Sequence, residues 1–309
     1  RGDIPAIKAK TNDAEAYAEA MHPLKTVRAL YIDDFLKGSV TDADKNIAFD
    51  LRPGAITGFI GRNGAGKTTT LKSLLNFVHP DAGEIRFFGK TFGGNETEIK
   101  SRIGYIPDDL GVLGGGTIRE LAAFYRAMYP RFDAARFDAL REVFRLDERT
   151  PLRRFSKGMQ KQAAFWLTMS CMPEVLVLDE PTSGLDPVSR DELLDTFRTL
   201  CEQEGVSILF STHITSDLDA CADTITYIQH GRVAASTDKK TWTWGYLLLQ
   251  GSDAACTPAL RAACIGARSH KGELDALIRA EDAPLAAGLS CTPANLEQIM
   301  VHLEREAEA

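Results

Sequence analysis

The chain has 309 residues, 44% hydrophobic and 26% charged, with a formal net charge of −7. That length allows one large α/β unit with appendages, and the acidic balance argues against non-specific nucleic-acid binding, because neutralising phosphates needs a basic face. No run approaches the roughly 20 apolar residues of a membrane-spanning helix, so service to a membrane would require a partner.

Residues 1–25 are Ala- and acid-rich and read as an extension, with Asn12 placed to cap a short helix ended by Pro23. From Thr26, "VRALYIDDF" and "KNIAFDL" read as strands, with a turn at 52–54. "AITGFI" at 55–60 is a short apolar run that fits a buried strand. Leu71, Leu74 and Leu75 give 66–78 helical spacing; 79–83 reads as a turn and 84–89 as another strand. Residues 99–172 read as mainly helical. Strands return at 174–178 and 206–210, around a helix closed by Gly205, and 224–236 reads as two strands about a turn at His230-Gly231. Such alternation predicts an α/β core with an inserted helical subdomain. Residues 237–309 are Ala-rich and weakly patterned and read as a small accessory region ending in a helix; "TWTWGYLLLQ" at 241–250 reads as a strand. The six cysteines form no CxxC pair, and the start lacks a secretory pattern, so unpaired thiols in a reducing compartment are expected.

"GRNGAGKT" at 61–68 follows a predicted strand and opens a predicted helix, the setting of a phosphate-binding loop. Gly61, Gly64 and Gly66 let successive backbone N–H groups face one anion, and the helix start adds its positive dipole end. Lys67 is the candidate charge on β- and γ-phosphates, and the Thr68 hydroxyl suits Mg²⁺. "VLVLDEPTSGLDP" at 175–187 delivers two carboxylates at the end of an apolar strand, where open α/β sheets bind ligands. Adjacent strand residues point to opposite faces, so the two acids can do different work. Asp179 is the candidate Mg²⁺ residue and Glu180 the candidate general base for an attacking water. His213, in "FSTHI" at 210–214, lies past another strand end and is a candidate for the γ-phosphate or the attacking water.

The ordered set resembles the ATP-binding cassette (ABC) ATPases over roughly residues 26–235. Walker A is 61–68, the ABC signature "FSKGMQ" at 155–160, Walker B "VLVLD" followed by Glu180, the D-loop "SGLD" at 183–186, and the switch histidine His213. The resemblance implies a P-loop NTPase core of ABC type at 26–236, with an antiparallel β subdomain, a helical subdomain at about 102–172 and an accessory region at 237–309. It implies ATP and Mg²⁺ as ligands, with Gly61, Arg62, Asn63, Gly64, Ala65, Gly66, Lys67, Thr68 and Thr69 holding the nucleotide. It implies a head-to-tail pair of cassettes, identical or paralogous. Ser156, Lys157, Gly158, Gln160 and Asp186 then act across the interface.

The implied partner is a polytopic permease, and the implied location the cytoplasmic face of the membrane. "SKGMQ", "YIPDD" and the terminal "NLEQIMVHL" resemble exporter-type cassettes with a separate permease. Three features depart from the family pattern. The signature carries Lys157 where LSGGQ has Gly; Lys157 could touch phosphates across the pair, bind an interface acid, or lie in solvent. The Q-loop position in "IGYIPDD" falls on Asp108, which can still ligate Mg²⁺ but alters the local charge. The adenine-stacking aromatic has Phe35 as its nearest candidate, which could equally be core. The alternative reading is a soluble ABC ATPase of translation or repair. One Walker A, and no sustained heptads between Thr69 and Ser156, weigh against it.

Overall fold

The computed structural model describes residues 32–33, 46–80, 82–113, 116–286 and 288–308. Strands β1 (Ile32–Asp33) and β2 (Asn46–Ile47) form an antiparallel pair ahead of the buried β3 (Ile56–Ile60). Helix α1 (Lys67–Leu74) follows the glycine loop. It stops short of residue 78 because Asn76 turns left-handed at φ 58, a conformation Asn tolerates better than most residues. The hairpin β4 (Arg86–Phe87) and β5 (Lys90–Thr91) and helix α2 (Glu96–Ser101) lead to β6 (Ile103–Ile106).

Helices α3 (Ile118–Met128), α4 (Ala134–Phe144) and α5 (Lys157–Met169) form the helical block. Thr117 starts α3 with a capping box to Glu120. The block begins later than the sequence reading places it, since Ile103–Ile106 is a strand paired in parallel with the next one. Short apolar runs do not distinguish strand from helix by period, and here sheet pairing decides.

Next come β7 (Val175–Asp179), α6 (Pro187–Glu204), β8 (Ser207–Thr212), α7 (Thr215–Cys221), β9 (Thr224–Gln229) and β10 (Arg232–Asp238). The main sheet has the order β10-β9-β3-β8-β7-β6, parallel except for the β9–β10 hairpin. β7 and β8 are wholly buried, which fits their unbroken apolar runs between layers of helix.

The C-terminal part comprises α8 (Lys239–Trp244), β11 (Tyr246–Ser252), α9 (Pro258–Ala263), β12 (Ile265–His270), β13 (Glu273–Arg279), β14 (Ser290–Pro293) and α10 (Leu296–Glu308). Its four strands form an antiparallel sheet in the order β12-β13-β11-β14. Strand alternation sends Leu248 and Leu277 to one face, where they join Trp242, Tyr227 and Ile299 in the cassette's own core. Leu249, Leu274, Ala276 and Ile278 face the other way and close a small core with Leu260. The region after 237 is thus separate in chain order but continuous in packing. The paired tryptophans sit in helix α8 rather than in a strand: Trp242 is buried against Tyr227, and Trp244 is 75% exposed. All six cysteines are unpaired. Among the described residues no helix is long and apolar enough to cross a membrane.

Candidate functional site

Sheet register gathers the chemistry at one edge. Ile60 lies beside Thr212, and Asp179 beside Ser211, so the loops at Gly61, Glu180 and His213 leave β3, β7 and β8 together. Gly61 is required by close packing: a Cβ there would lie 2.4 Å from the Ile228 carbonyl oxygen. Gly64 and Gly66 adopt φ 84 and 106, which a side chain would disfavour. Ala65 is buried, while Asn63 and Thr68 are exposed and Thr69 is half-buried.

Lys67 folds back over its own loop. Its Nζ donates to the carbonyls of Gly61 (2.8 Å) and Arg62 (3.3 Å) and lies 3.5 Å from Glu180 Oε1. Arg62 itself points away from the loop and pairs with Glu304 and Glu308 on α10. Phe35, the candidate adenine platform, lies outside the described residues.

Asp179 is buried, and its Oδ1 accepts a 2.6 Å hydrogen bond from Ser211 Oγ. The same Ser211 oxygen accepts from the Glu180 backbone N–H at 2.9 Å, so one hydroxyl orients both acids. Glu180 stands in the left-handed region at φ 47, which costs a residue with a Cβ about 1–2 kcal/mol. Strain held in this way is found where function fixes a side chain. Glu180 Oε2 is 2.8 Å from His213 Nδ1. An ionised carboxylate only accepts, so Nδ1 is the donor and Nε2 remains free to face a reacting group.

Ser156 N-caps α5, accepting from the Met159 N–H at 3.2 Å. Its own O–H is left to donate elsewhere. Gly158 packs against the D-loop, where a Cβ would approach the Leu185 side chain to 3.2 Å, and the stem of Lys157 lies beside Gly184. Gln160 is half-buried. Its Nε2 donates to the carbonyls of Leu152 and Phe155, both at 3.1 Å, closing the turn before the helix. The residue presented at the surface there is Met159. Asp186 N-caps α6, accepting from the N–H groups of Val188 and Ser189 and from Ser189 Oγ; these bonds, the hydroxyl's first, hold its pKa below the usual range.

Two further residues carry no motif. Lys161, in α5, donates to the backbone carbonyls of Glu180 (2.6 Å) and Ser183 (2.8 Å) and lies 3.5 Å from Asp108 Oδ1. Burial lowers its pKa, with Asp108 acting in the opposite sense. Asp108, the Q-loop candidate, therefore has an ion-pair partner inside the protein. Asp217, fully buried, accepts from Thr182 Oγ1 (2.6 Å), Thr212 Oγ1 (3.2 Å) and Arg190 Nε. It ties the segment after Glu180 to the segment before His213. Lys161 and, apart from the bond from Thr212, Asp217 act over long sequence separations, so no local pattern marks them.

Among the described residues no group of three or more His, Cys, Asp or Glu side chains is gathered for a metal. Thr68 and Asp179 offer oxygen donors, too few alone for a closed site but suited to a cation that keeps its waters.

A family model for ABC transporters matches residues 45–183. The chain is 32% identical over 196 residues to the ABC-type transporter ATP-binding protein EcsA of Bacillus subtilis (strain 168), covering 62% of this chain and 79% of that protein. The chain belongs to the ABC transporter ATP-binding family. It is also 33% identical over 198 residues to the bacitracin transport ATP-binding protein BcrA of Bacillus licheniformis, covering 63% of this chain and 64% of that relative. The chain therefore spans somewhat less than two thirds of BcrA. Among solved structures it is similar to an ATP-binding subunit of an ABC transporter at 25% identity and a TM-score of 0.59, covering 69% of this chain and 91% of that one. The match to an ATP-binding cassette accords with the glycine loop, the Asp179-Glu180 strand end and His213 meeting at one sheet edge.

Proposed function

We propose that this cassette binds and hydrolyses ATP as one member of a pair and so powers a separate membrane permease of exporter type. The observation that carries this reading is the convergence of Lys67, Glu180 and His213 at the ends of adjacent strands.

The loop 61–69 receives the phosphate chain on its backbone N–H groups, and Lys67 leaves its internal carbonyls to neutralise phosphate charge. Thr68 and Asp179 would hold Mg²⁺, which supplies charge neutralisation on the phosphate oxygens when bound. Glu180 takes the proton of the attacking water, and His213 holds the Glu180 carboxylate and presents Nε2 toward the transferred phosphoryl group. Hydrolysis proceeds when the water lies in line with the leaving oxygen, so the rate depends on where the φ 47 backbone sets the Glu180 carboxylate. The N-terminus of α5, with Ser156 and Gly158, is free to donate to the nucleotide of a second cassette. Gln160 is half-buried with its amide held by the Leu152 and Phe155 carbonyls, which leaves Ser156, Gly158 and the helix N–H groups to do that work.

Kinship with transporter subunits supports a permease partner and a membrane-peripheral location on the cytoplasmic side. Glu180→Gln tests the hydrolytic assignment: phosphate release should cease while ATP still binds.

A further inference from the structure

We propose that Lys161 is a positioning residue for hydrolysis, fastening the signature helix to the turn that carries Glu180; this rests on the ATPase reading above. The Lys161 side chain is 8% exposed. Lysine is rarely kept so deep unless every donor is engaged. An ammonium has three N–H donors, and here three acceptors face it: the Glu180 carbonyl, the Ser183 carbonyl and the Asp108 carboxylate.

Two of those acceptors belong to the chain as it leaves β7. The Glu180 carbonyl also accepts from the Ser183 N–H at 3.1 Å, and the Glu180 N–H donates to Ser211 Oγ. Both peptide planes flanking the strained Glu180 backbone are therefore pinned. Of these bonds, the one from Lys161 alone originates in the helical block. A charge-assisted bond of 2.6 Å is the strongest of the set. Any rotation of α5 relative to the sheet must stretch it, move the Glu180 carbonyl, or both. The Glu180 carboxylate, three bonds from its Cα, then changes its distance to His213 and to the water it deprotonates. Ser183 opens the D-loop, so the same ammonium sets that loop's origin. Asp108, half-exposed on the turn after β6, is the third corner. Its carboxylate holds Lys161 against the sheet, so the loop that carries it bears on Glu180 without touching it.

The test compares wild type with Lys161→Met, Lys161→Arg and Lys161→Gln in the full chain. It measures phosphate release, binding of a fluorescent N-methylanthraniloyl ATP, and hydrogen exchange of residues 179–186. Lys161→Met should lower kcat about tenfold or more, since misplacement of about 1 Å costs up to about 10²-fold. Nucleotide affinity should stay within about twofold, the mark of an interaction used in the chemical step rather than in binding. Exchange over 179–186 should rise while the remaining core is unchanged. Lys161→Arg, which keeps charge and donors, should restore most of kcat. Lys161→Gln keeps two donors without charge, should fall between, and serves if the methionine variant does not fold.

A Lys161→Met kcat within about twofold of wild type would overturn the proposal. So would unchanged exchange over 179–186, or a parallel loss of affinity and rate that arginine does not rescue. Were wild type itself to release no phosphate, the ATPase reading would fall, and the exchange measurement would still decide whether Lys161 holds this turn.

Discussion

Asp217→Ala should cost the protein a large part of its stability, and the reason is visible in three bonds. The carboxylate is fully buried and accepts from Thr182 Oγ1 at 2.6 Å, Thr212 Oγ1 at 3.2 Å and Arg190 Nε. Thr182 and Thr212 are themselves buried, so their hydroxyls find no water when the acceptor goes. Breaking a buried ion pair costs about 3–5 kcal/mol, and a stranded buried hydroxyl about 1–3 kcal/mol. These terms do not add, because they share one acceptor. The Arg190 side chain is 26% exposed and keeps its bond to Ser216 Oγ, which lowers the first term. A net loss of about 3 kcal/mol is expected, against a typical total of about 5–15 kcal/mol. With an m-value of about 3 kcal/mol/M, the urea midpoint should fall by about 1 M. Asp217→Asn keeps an acceptor and should lose roughly half as much. A loss below about 1 kcal/mol with unchanged m would refute the idea that this carboxylate latches the Glu180 and His213 segments together.

Gly61→Ala tests the close approach of β3 and β9. Its Cβ would meet the Ile228 carbonyl oxygen at 2.4 Å, a backbone atom that cannot rotate away. Overpacking of this kind costs about 1–3 kcal/mol, so the melting temperature should drop by several degrees and ATP affinity with it; unchanged melting would contradict the contact. Acid sensitivity tests Glu174. Burial raises its pKa, but the hydrogen bonds and charges of Arg102 and Arg131 outweigh burial and leave it below the ordinary value of 4.5. A carboxylate depressed in the folded state contributes stability above its unfolded pKa and loses that contribution as pH falls through the folded value. Stability should therefore decline below about pH 4.5, and Glu174→Gln should show a smaller decline between pH 6 and pH 3. An equal acid loss in the variant would mean the arginine pairing adds nothing.

How much was legible depended on range. The glycine loop could be read because its requirements are local: three glycines, a lysine and a threonine within eight positions, between a strand and a helix. Asp179-Glu180 could be read because an apolar run ends there, and His213 because it follows another such run. The signature motif does not show which way a helix residue turns, so the bonds from the Gln160 amide to carbonyls of the preceding turn are visible only in the fold. β6 is not separable by sequence from the helical block, because four residues are too few to show a period. The C-terminal sheet was missed because β11 and β13 bury both faces, which erases alternation. Lys161 and Asp217 look like ordinary polar residues on amphipathic helices. Most of their partners, Thr182 and Arg190 for Asp217 and Asp108, Glu180 and Ser183 for Lys161, lie far along the chain, and only the packed fold brings them together.

The central claim is that Glu180 drives ATP hydrolysis at this sheet edge, and phosphate release by Glu180→Gln at saturating Mg²⁺-ATP tests it most directly. The account predicts a fall of at least about 10²-fold with ATP still bound, because a positioned base contributes about 10²–10⁴-fold. Phosphate release undiminished in that variant would contradict it.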